Sequence, residues 1–205
     1  MVRSARIQLL LISALAAGAA FGQNPPQGPQ NNDLSILSGP AIGGTLAGTD
    51  GPVHFSGVFS LQTNFAHTIH SYSFADLWLE TPSTFASRDS GAVGGGVKSA
   101  SYSEYYFTPG LRLHVPVGSR VSLYGAAGAG FCSFDYSQDS AVPGVHIDNL
   151  RNYHGVFDFG GGMDFRLTRL LSVRGDIRDF VTGRGLGGLN GRNHTIFGFG
   201  MAVHF

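Results

Sequence analysis

From Asp33 onward, hydrophobic and polar residues alternate along the chain with a period of two. The clearest stretch is "YHGVFDFGGGMDFR", Tyr153 to Arg166. One face reads Tyr153, Gly155, Phe157, Phe159, Gly161, Met163 and Phe165. The other reads His154, Val156, Asp158, Gly160, Gly162, Asp164 and Arg166. A period of two puts successive side chains on opposite faces of a strand. The stretch 103–115 repeats the pattern, with Tyr105, Phe107, Pro109, Leu111, Leu113 and Val115 opposite Glu104, Tyr106, Thr108, Gly110, Arg112 and His114. So do 121–135, 171–180 and the closing 195–205. Three earlier strands follow at about 34–46, 53–65 and 71–81, with Asp76 and Glu80 on the polar face of the third. Pro40 marks an edge, a bulge or a strand end in the first.

The connections between these eight strands alternate in length. "TGRGLGGLNGR" is long, "LTRL" short, "SQDSAVPGVHIDNL" long, "PVGSR" short and "PSTFASRDSGAVGGGVKSA" long. Long loops at one end and tight turns at the other are the pattern of a meander closed into a transmembrane barrel. Strands of ~10–14 residues cross the hydrocarbon when tilted by ~45°. The expected fold is all-β, an eight-stranded antiparallel up-and-down transmembrane β-barrel spanning 33–205. Its outward loops are expected at about 82–101, 137–151 and 182–192.

Period two alone does not say which face looks inward. A soluble barrel keeps its apolar face inside, and a membrane barrel turns it to lipid. Charge decides between them. Charged residues make up 13% of the chain, against about 25% in ordinary soluble domains. The polar faces carry Asp76, Glu80, Glu104, Arg112, Asp158, Asp164, Arg166, Arg174, Asp176 and Arg178. These are too few to solubilise an exterior, and mixed in sign as a paired, buried set must be. They are therefore assigned to a lumen network. Eight strands leave an interior that side chains just fill, so a plugged core is expected. Aromatics near strand ends, among them Tyr102, Tyr105, Tyr124, Phe131, Tyr153, Phe180, Phe197 and Phe205, are candidates for interfacial girdles.

The first residues sit outside this pattern. "MVRSAR" is basic, "IQLLLISALAAGAA" is a short apolar run, and small residues follow at Ala20 and Gly22. That order is a secretory signal peptide, 1–22. The Pro/Gln/Asn-rich "QNPPQGPQNN" of 23–32 reads as a disordered spacer. Without Arg3 and Arg6, eleven basic residues face thirteen acidic ones, a net charge of −2. No basic patch points to nucleic acid. Cys132 is the only cysteine, so the chain makes no internal disulfide.

Candidate chemistry is sparse. His67 and His70 are three apart, which puts their rings on opposite faces of a strand. "GAVGGGV" and "GRGLGGLNG" lack the Lys-Ser/Thr and opening helix of a phosphate cradle. "RGDIRDF" sits mid-strand, where Arg174, Asp176 and Arg178 read as ion-pair members rather than an adhesion tip. No metal and no cofactor is expected.

The signal peptide, the hairpin "YYFTPGLRLHVPVGSRVSLYGAAGAGF" and the closing "FGFGMAVHF" resemble the eight-stranded outer-membrane β-barrel proteins of Gram-negative bacteria, the OmpA-like and OmpX-like group. The resemblance covers about 33–205. It implies a location in the outer membrane, with outer-membrane lipid as surroundings; a monomer is expected. It also implies a C-terminal signal for the barrel-assembly machinery, carried here by Phe199, Met201, Val203 and Phe205. No peptidoglycan-binding domain is expected after the barrel. Some members modify lipid A, with a His-x-Ser pair and a carboxylate late in the chain. Here the only His-x-Ser is His54-Phe55-Ser56. The expected role is structural or surface interaction without catalysis. A lipid-modifying enzyme and a narrow small-solute channel are the alternatives.

Overall fold

The computed structural model describes residues 30–42, 45–48, 51–54, 56–90, 97–140, 150–184 and 190–205. The expected signal peptide lies outside the described residues. The described strands are β1 (Asn32–Ile42), β2 (Thr45–Gly48), β3 (Gly51–His54), β4 (Ser56–Ser71), β5 (Asp76–Ser90), β6 (Val97–Phe107), β7 (Gly110–Pro116), β8 (Val121–Ser140), β9 (Leu150–Arg166), β10 (Leu171–Arg184) and β11 (Asn190–His204). All pairings are antiparallel, and β2 and β3 form a small sheet of their own.

The remaining nine strands close into one barrel of eight staves, because β6 and β7 act as one. Both pair with β5 on one side and β8 on the other. Thr108 and Pro109 separate them; proline has no N–H to give a ladder. The seam is β1 against β11. There the Asn32 N–H donates to the Phe205 carbonyl at 2.9 Å, and the Phe205 N–H to the Asn32 carbonyl at 3.0 Å. The terminal aromatic residue is thus part of the wall.

The register fixes the tilt. In one direction paired residues run Leu79, Leu111, Ala127, Phe159, Asp179, Thr195, Ile42. In the other they run Leu79, His67, Asn32. The two ends on β1 stand ten residues apart, which is the stagger of the closed barrel. Eight strands with that stagger tilt by roughly 40–45°.

Short turns occupy one end. Segment 117–120 closes with the Val117 and Gly118 N–H groups on the Val121 carbonyl. In 167–170, the Thr168 hydroxyl accepts from the Leu170 and Leu171 N–H groups at 3.2 and 3.0 Å.

The faces divide as their alternation predicts. Leu111, Leu113, Phe157, Phe159, Met163 and Phe165 are exposed on the outer wall, while Arg112, Asp158 and Asp164 are buried inside. Large lumen side chains need small neighbours. A Cβ on Gly162 would meet the Tyr124 hydroxyl and the Gly175 carbonyl, whereas one on Gly155, on the outer wall, meets nothing within 4 Å.

Several boundaries differ from the sequence reading. The second and third strands start and end later than expected, at 56–71 and 76–90. Asn32, assigned to the spacer, is the first residue of β1. Much of the stretch expected as the loop 82–101 is strand, since β5 runs to Ser90 and β6 starts at Val97. Serine and threonine between its apolar residues masked the alternation. Tyr124 and Phe180, named for the girdles, are both buried in the lumen; their even positions on β8 and β10 place them on the inward face.

Gly162→Leu should lower barrel stability by about 1–3 kcal/mol through overpacking against Tyr124. Gly155→Ala should change it by less than about 0.5 kcal/mol, as an open surface site does. Urea unfolding in lipid vesicles, followed by the heat-dependent gel shift, compares the two.

Candidate functional site: the lumen and the outer rim

Three guanidiniums and four carboxylates form one alternating chain through the lower lumen. It runs Asp164, Arg174, Asp33, Arg112, Glu80, Arg178, Asp158. Arg174 Nε donates to Asp164 Oδ1 at 2.6 Å and Nη2 to Oδ2 at 2.8 Å, a bidentate pair. Its guanidinium also holds Asp33, with Nη1 to Oδ1 at 3.2 Å and Nη2 close to Oδ2. Arg112 continues the chain, Nη1 to Asp33 Oδ2 at 3.0 Å and Nε to Glu80 Oε2 at 2.8 Å. Arg178 Nη1 lies 2.7 Å from Glu80 Oε1 and 2.8 Å from Asp158 Oδ2. β5 and β10 are four staves apart in an eight-stave barrel, so the Arg178–Glu80 pair spans the lumen.

Neutral groups complete the lattice. Tyr124 donates its hydroxyl to Asp176 Oδ2 at 2.6 Å, and Asp176 also faces Arg178 Nε at 3.3 Å. The Arg112 and Arg174 guanidinium carbons sit 5.0 and 5.3 Å from the Tyr124 ring centre, within cation–π range. Asn64 donates to Glu80 at 2.9 Å. His114 Nε2 lies 3.5 Å from Asp164 Oδ2, and the Ser172 hydroxyl and His204 Nε2 are 2.7 Å apart.

The structure thus brings together Glu80, Arg112, Asp158, Asp164, Arg174, Asp176 and Arg178 of the sequence set. It does not bring in the other three. Arg166 is exposed at the last position of β9, past the rim, and Asp76 is half-buried at the first position of β5. Glu104 is buried in a different layer. The sequence set omitted Asp33, which joins Arg174 to Arg112. Carrying the β1 alternation back one residue from Leu34 would have placed it on the polar face.

Above the ion chain the lumen turns apolar. Tyr106, Phe134, Phe180, Val156, Ile196, Ala41, Ala86 and Cys132 form one buried cluster. Tyr106 stacks on Phe180 with ring centres 4.3 Å apart. Glu104 sits among them, accepting from the Tyr106 hydroxyl at 2.7 Å, with His194 Nδ1 3.3 Å from its other oxygen.

The outer wall changes in the opposite sense at the same level. On β10, outward Val173 and Ile177 give way to Asp179, while inward Arg174 and Arg178 give way to Phe180. Asp179 accepts from the Asn193 amide at 2.7 Å and the Thr195 hydroxyl at 3.3 Å, both outward on β11. On β8, outward Leu123 to Phe131 give way to Ser133 and Asp135, while Phe134 points in. Below this level the barrel is apolar outside and charged inside; above it the interior is mainly apolar, with Glu104 and His194 set into it, and polar side chains stand among exposed aromatics such as Phe59 and Tyr153 outside. A lipid face needs the first arrangement and a water-facing barrel the second. The inversion marks where the wall leaves the membrane.

Arg178→Ala leaves Glu80 and Asp158 short of their shared partner, and barrel stability should fall by about 3–5 kcal/mol. Changing Arg178 and Glu80 together to Leu should recover part of that loss. Urea titration of the vesicle-inserted protein reads both. In a Cys132→Ser background, a fluorophore at position 127 should be quenched by nitroxide on acyl chains. One at position 133 should be quenched instead by iodide in water.

Residues 9–205 match the family model described as outer membrane protein beta-barrel domain. No curated protein matches the sequence. The fold is similar to Ail, the attachment invasion locus protein of Yersinia pestis, with a TM-score of 0.52 at 13% identity, covering 86% of this chain and 100% of that one. It is also similar to a major outer membrane protein from Thermus thermophilus, with a TM-score of 0.51 at 14% identity, covering 85% and 99%. At such identities the likeness is one of fold. With nearly its whole length matched and its eight staves closed, the chain belongs to the outer-membrane β-barrel domain family.

Proposed function

We propose that this chain is a monomeric, non-catalytic outer-membrane barrel that holds a rigid surface platform for interaction outside the cell. The observation that carries this reading is the polarity inversion. It gives the outer part of the barrel its own apolar core, built on Tyr106, Phe134 and Phe180. Loops carried on such a rigid scaffold are the usual seat of binding. The strands β5, β6, β8 and β9 continue past the inversion level as paired ribbons, Ser90 opposite Ala100 and Tyr136 opposite Leu150. The segments they carry, 91–96 and 141–149, lie outside the described residues, as does 185–189.

The cross-lumen Arg178–Glu80 pair and the Tyr106–Phe180 stack above it support a plugged lumen over a solute channel. Phe199, Met201, Val203 and Phe205 serve, on this reading, as the signal read by the barrel-assembly machinery.

Planar-bilayer recordings of the folded protein should show no conductance steps at neutral pH; discrete steps would support the channel. Replacing 141–149 by a short Gly-Ser turn should leave the heat-dependent gel shift intact. Replacing 91–96, 141–149 and 185–189 together should abolish any surface attachment the protein confers on cells. Attachment that survives loss of all three segments would refute the platform.

A further inference from the structure

We propose that the lipid-facing wall holds one anionic phospholipid, with its acyl chain in a groove over β7, β8 and β9 and its phosphate at the short-turn end of the barrel. The groove has a volume of about 680 Å³, within the usual range of about 300–1,000 Å³ for small-molecule sites. Its floor is Gly125, Ala127 and Gly161, outward positions of β8 and β9 with almost no side chain, and Leu123 and Phe159 stand on its banks. Lipid surrounds this part of the wall, so what fills a groove here is hydrocarbon. The groove runs down to Val115, next to the end of β7 and the turn 117–120.

Its lower mouth is basic. Val121 pairs with Phe165. One step further Arg120 and Arg166 stand opposite each other, and the Arg166 N–H donates to the Arg120 carbonyl at 2.7 Å. Both side chains are exposed at the end of the wall. Like charges placed directly opposite repel, and no acidic group offsets them here. Neither arginine makes an ion pair or a side-chain hydrogen bond, and Asp164, two positions before Arg166, is buried and bidentate to Arg174. An anion between two guanidiniums relieves that repulsion and accepts the charge-assisted hydrogen bonds they offer. Long arginine stems carry the charge from a strand end to the headgroup level. A lipid lying in the groove brings its phosphate to that level. A headgroup with its own ammonium would set a third cation against the pair, so the site selects a head of net negative charge.

The test uses the full barrel with Cys132→Ser, folded in phosphatidylcholine vesicles. A fluorophore is placed on Met163→Cys, which faces Leu123 at the groove's edge. Brominated-chain phosphatidylglycerol and brominated-chain phosphatidylcholine are the probes, added at the same small mole fraction. The phosphatidylglycerol should show about fivefold higher relative affinity in quenching, as one favourable charge contact at a membrane surface gives. Arg120→Gln together with Arg166→Gln should bring the ratio close to one. Ala127→Leu fills the groove with both arginines intact and should lower the ratio too. Should Ala127→Leu misfold, Ala127→Val fills less of the groove and should still lower it. The heat-dependent gel shift confirms that each variant folds. A fluorophore on Leu34→Cys of β1, four staves from β8, should report no preference. Inorganic phosphate, compared with sodium chloride at equal ionic strength, should leave the ratio unchanged. Equal quenching by the two lipids at position 163 would overturn the proposal. So would a preference that survives the arginine changes or the filled groove, or one of the same size at position 34, which would mean diffuse attraction only. Loss of the preference in inorganic phosphate would assign the arginines to a free anion and would overturn it as well. None of these outcomes bears on the loop platform, which lies at the opposite end of the barrel.

Discussion

The alternating chain from Asp164 through Arg174, Asp33, Arg112, Glu80 and Arg178 to Asp158 is the constraint on which the rest of the barrel depends. A charged group taken from water is stable only among partners that satisfy it. Here each guanidinium lies between two carboxylates, and each inner carboxylate between two guanidiniums. The chain draws on β1, β5, β7, β9 and β10, so it ties distant parts of the wall together. It also dictates the glycines around it. Gly128, Gly160 and Gly162 stand where a Cβ would strike Asp158, Arg178 or Tyr124.

The outer half is held by a different force. Its interior is the apolar cluster around Tyr106, Phe134 and Phe180, stabilised by burial rather than by ion pairs. Two solvents therefore act on one continuous wall. Where lipid surrounds it, apolar side chains face out and charges pair inside. Where water surrounds it, serine and aspartate stand among the outward rings, and an aromatic cluster fills the inside. Most staves pass through both regimes as continuous ladders, because each ladder satisfies its backbone groups whatever the side chains do; the β6–β7 stave is interrupted at Thr108 and Pro109.

Much of this was legible in the sequence. Period two, the alternating connection lengths and the low charge fraction together point to eight strands with the apolar face outward. Leu111, Leu113, Phe157, Phe159, Met163 and Phe165 lie on the expected side. So do Arg112, Asp158, Asp164, Arg174 and Arg178. The reading weakened above the membrane level. There the rule that polar residues face inward reverses, so a single assignment of faces could not describe Phe180 and Asp179. The Ser- and Thr-containing end of β5, "PSTFAS", read as loop for the same reason: neither face has the charge or the run of aliphatic residues that marks a lipid wall.

The sequence by itself determined the class of fold, the tilt-compatible strand lengths and which residues share a face, since these follow from a local period that each strand carries alone. The tertiary structure decided which charges meet. Arg178 finds Glu80 across the lumen, and Asp33 joins Arg174 to Arg112, only because closure with a ten-residue stagger sets the height of every strand against its neighbours. Arg166 sits on the same face of β9 as Asp158 and Asp164, yet that stagger leaves it outside the network. The closing "TIFGFGMAVHF" divides the same way. Its alternation is local, but its role as the last stave exists only because Asn32 and Phe205 meet at the seam.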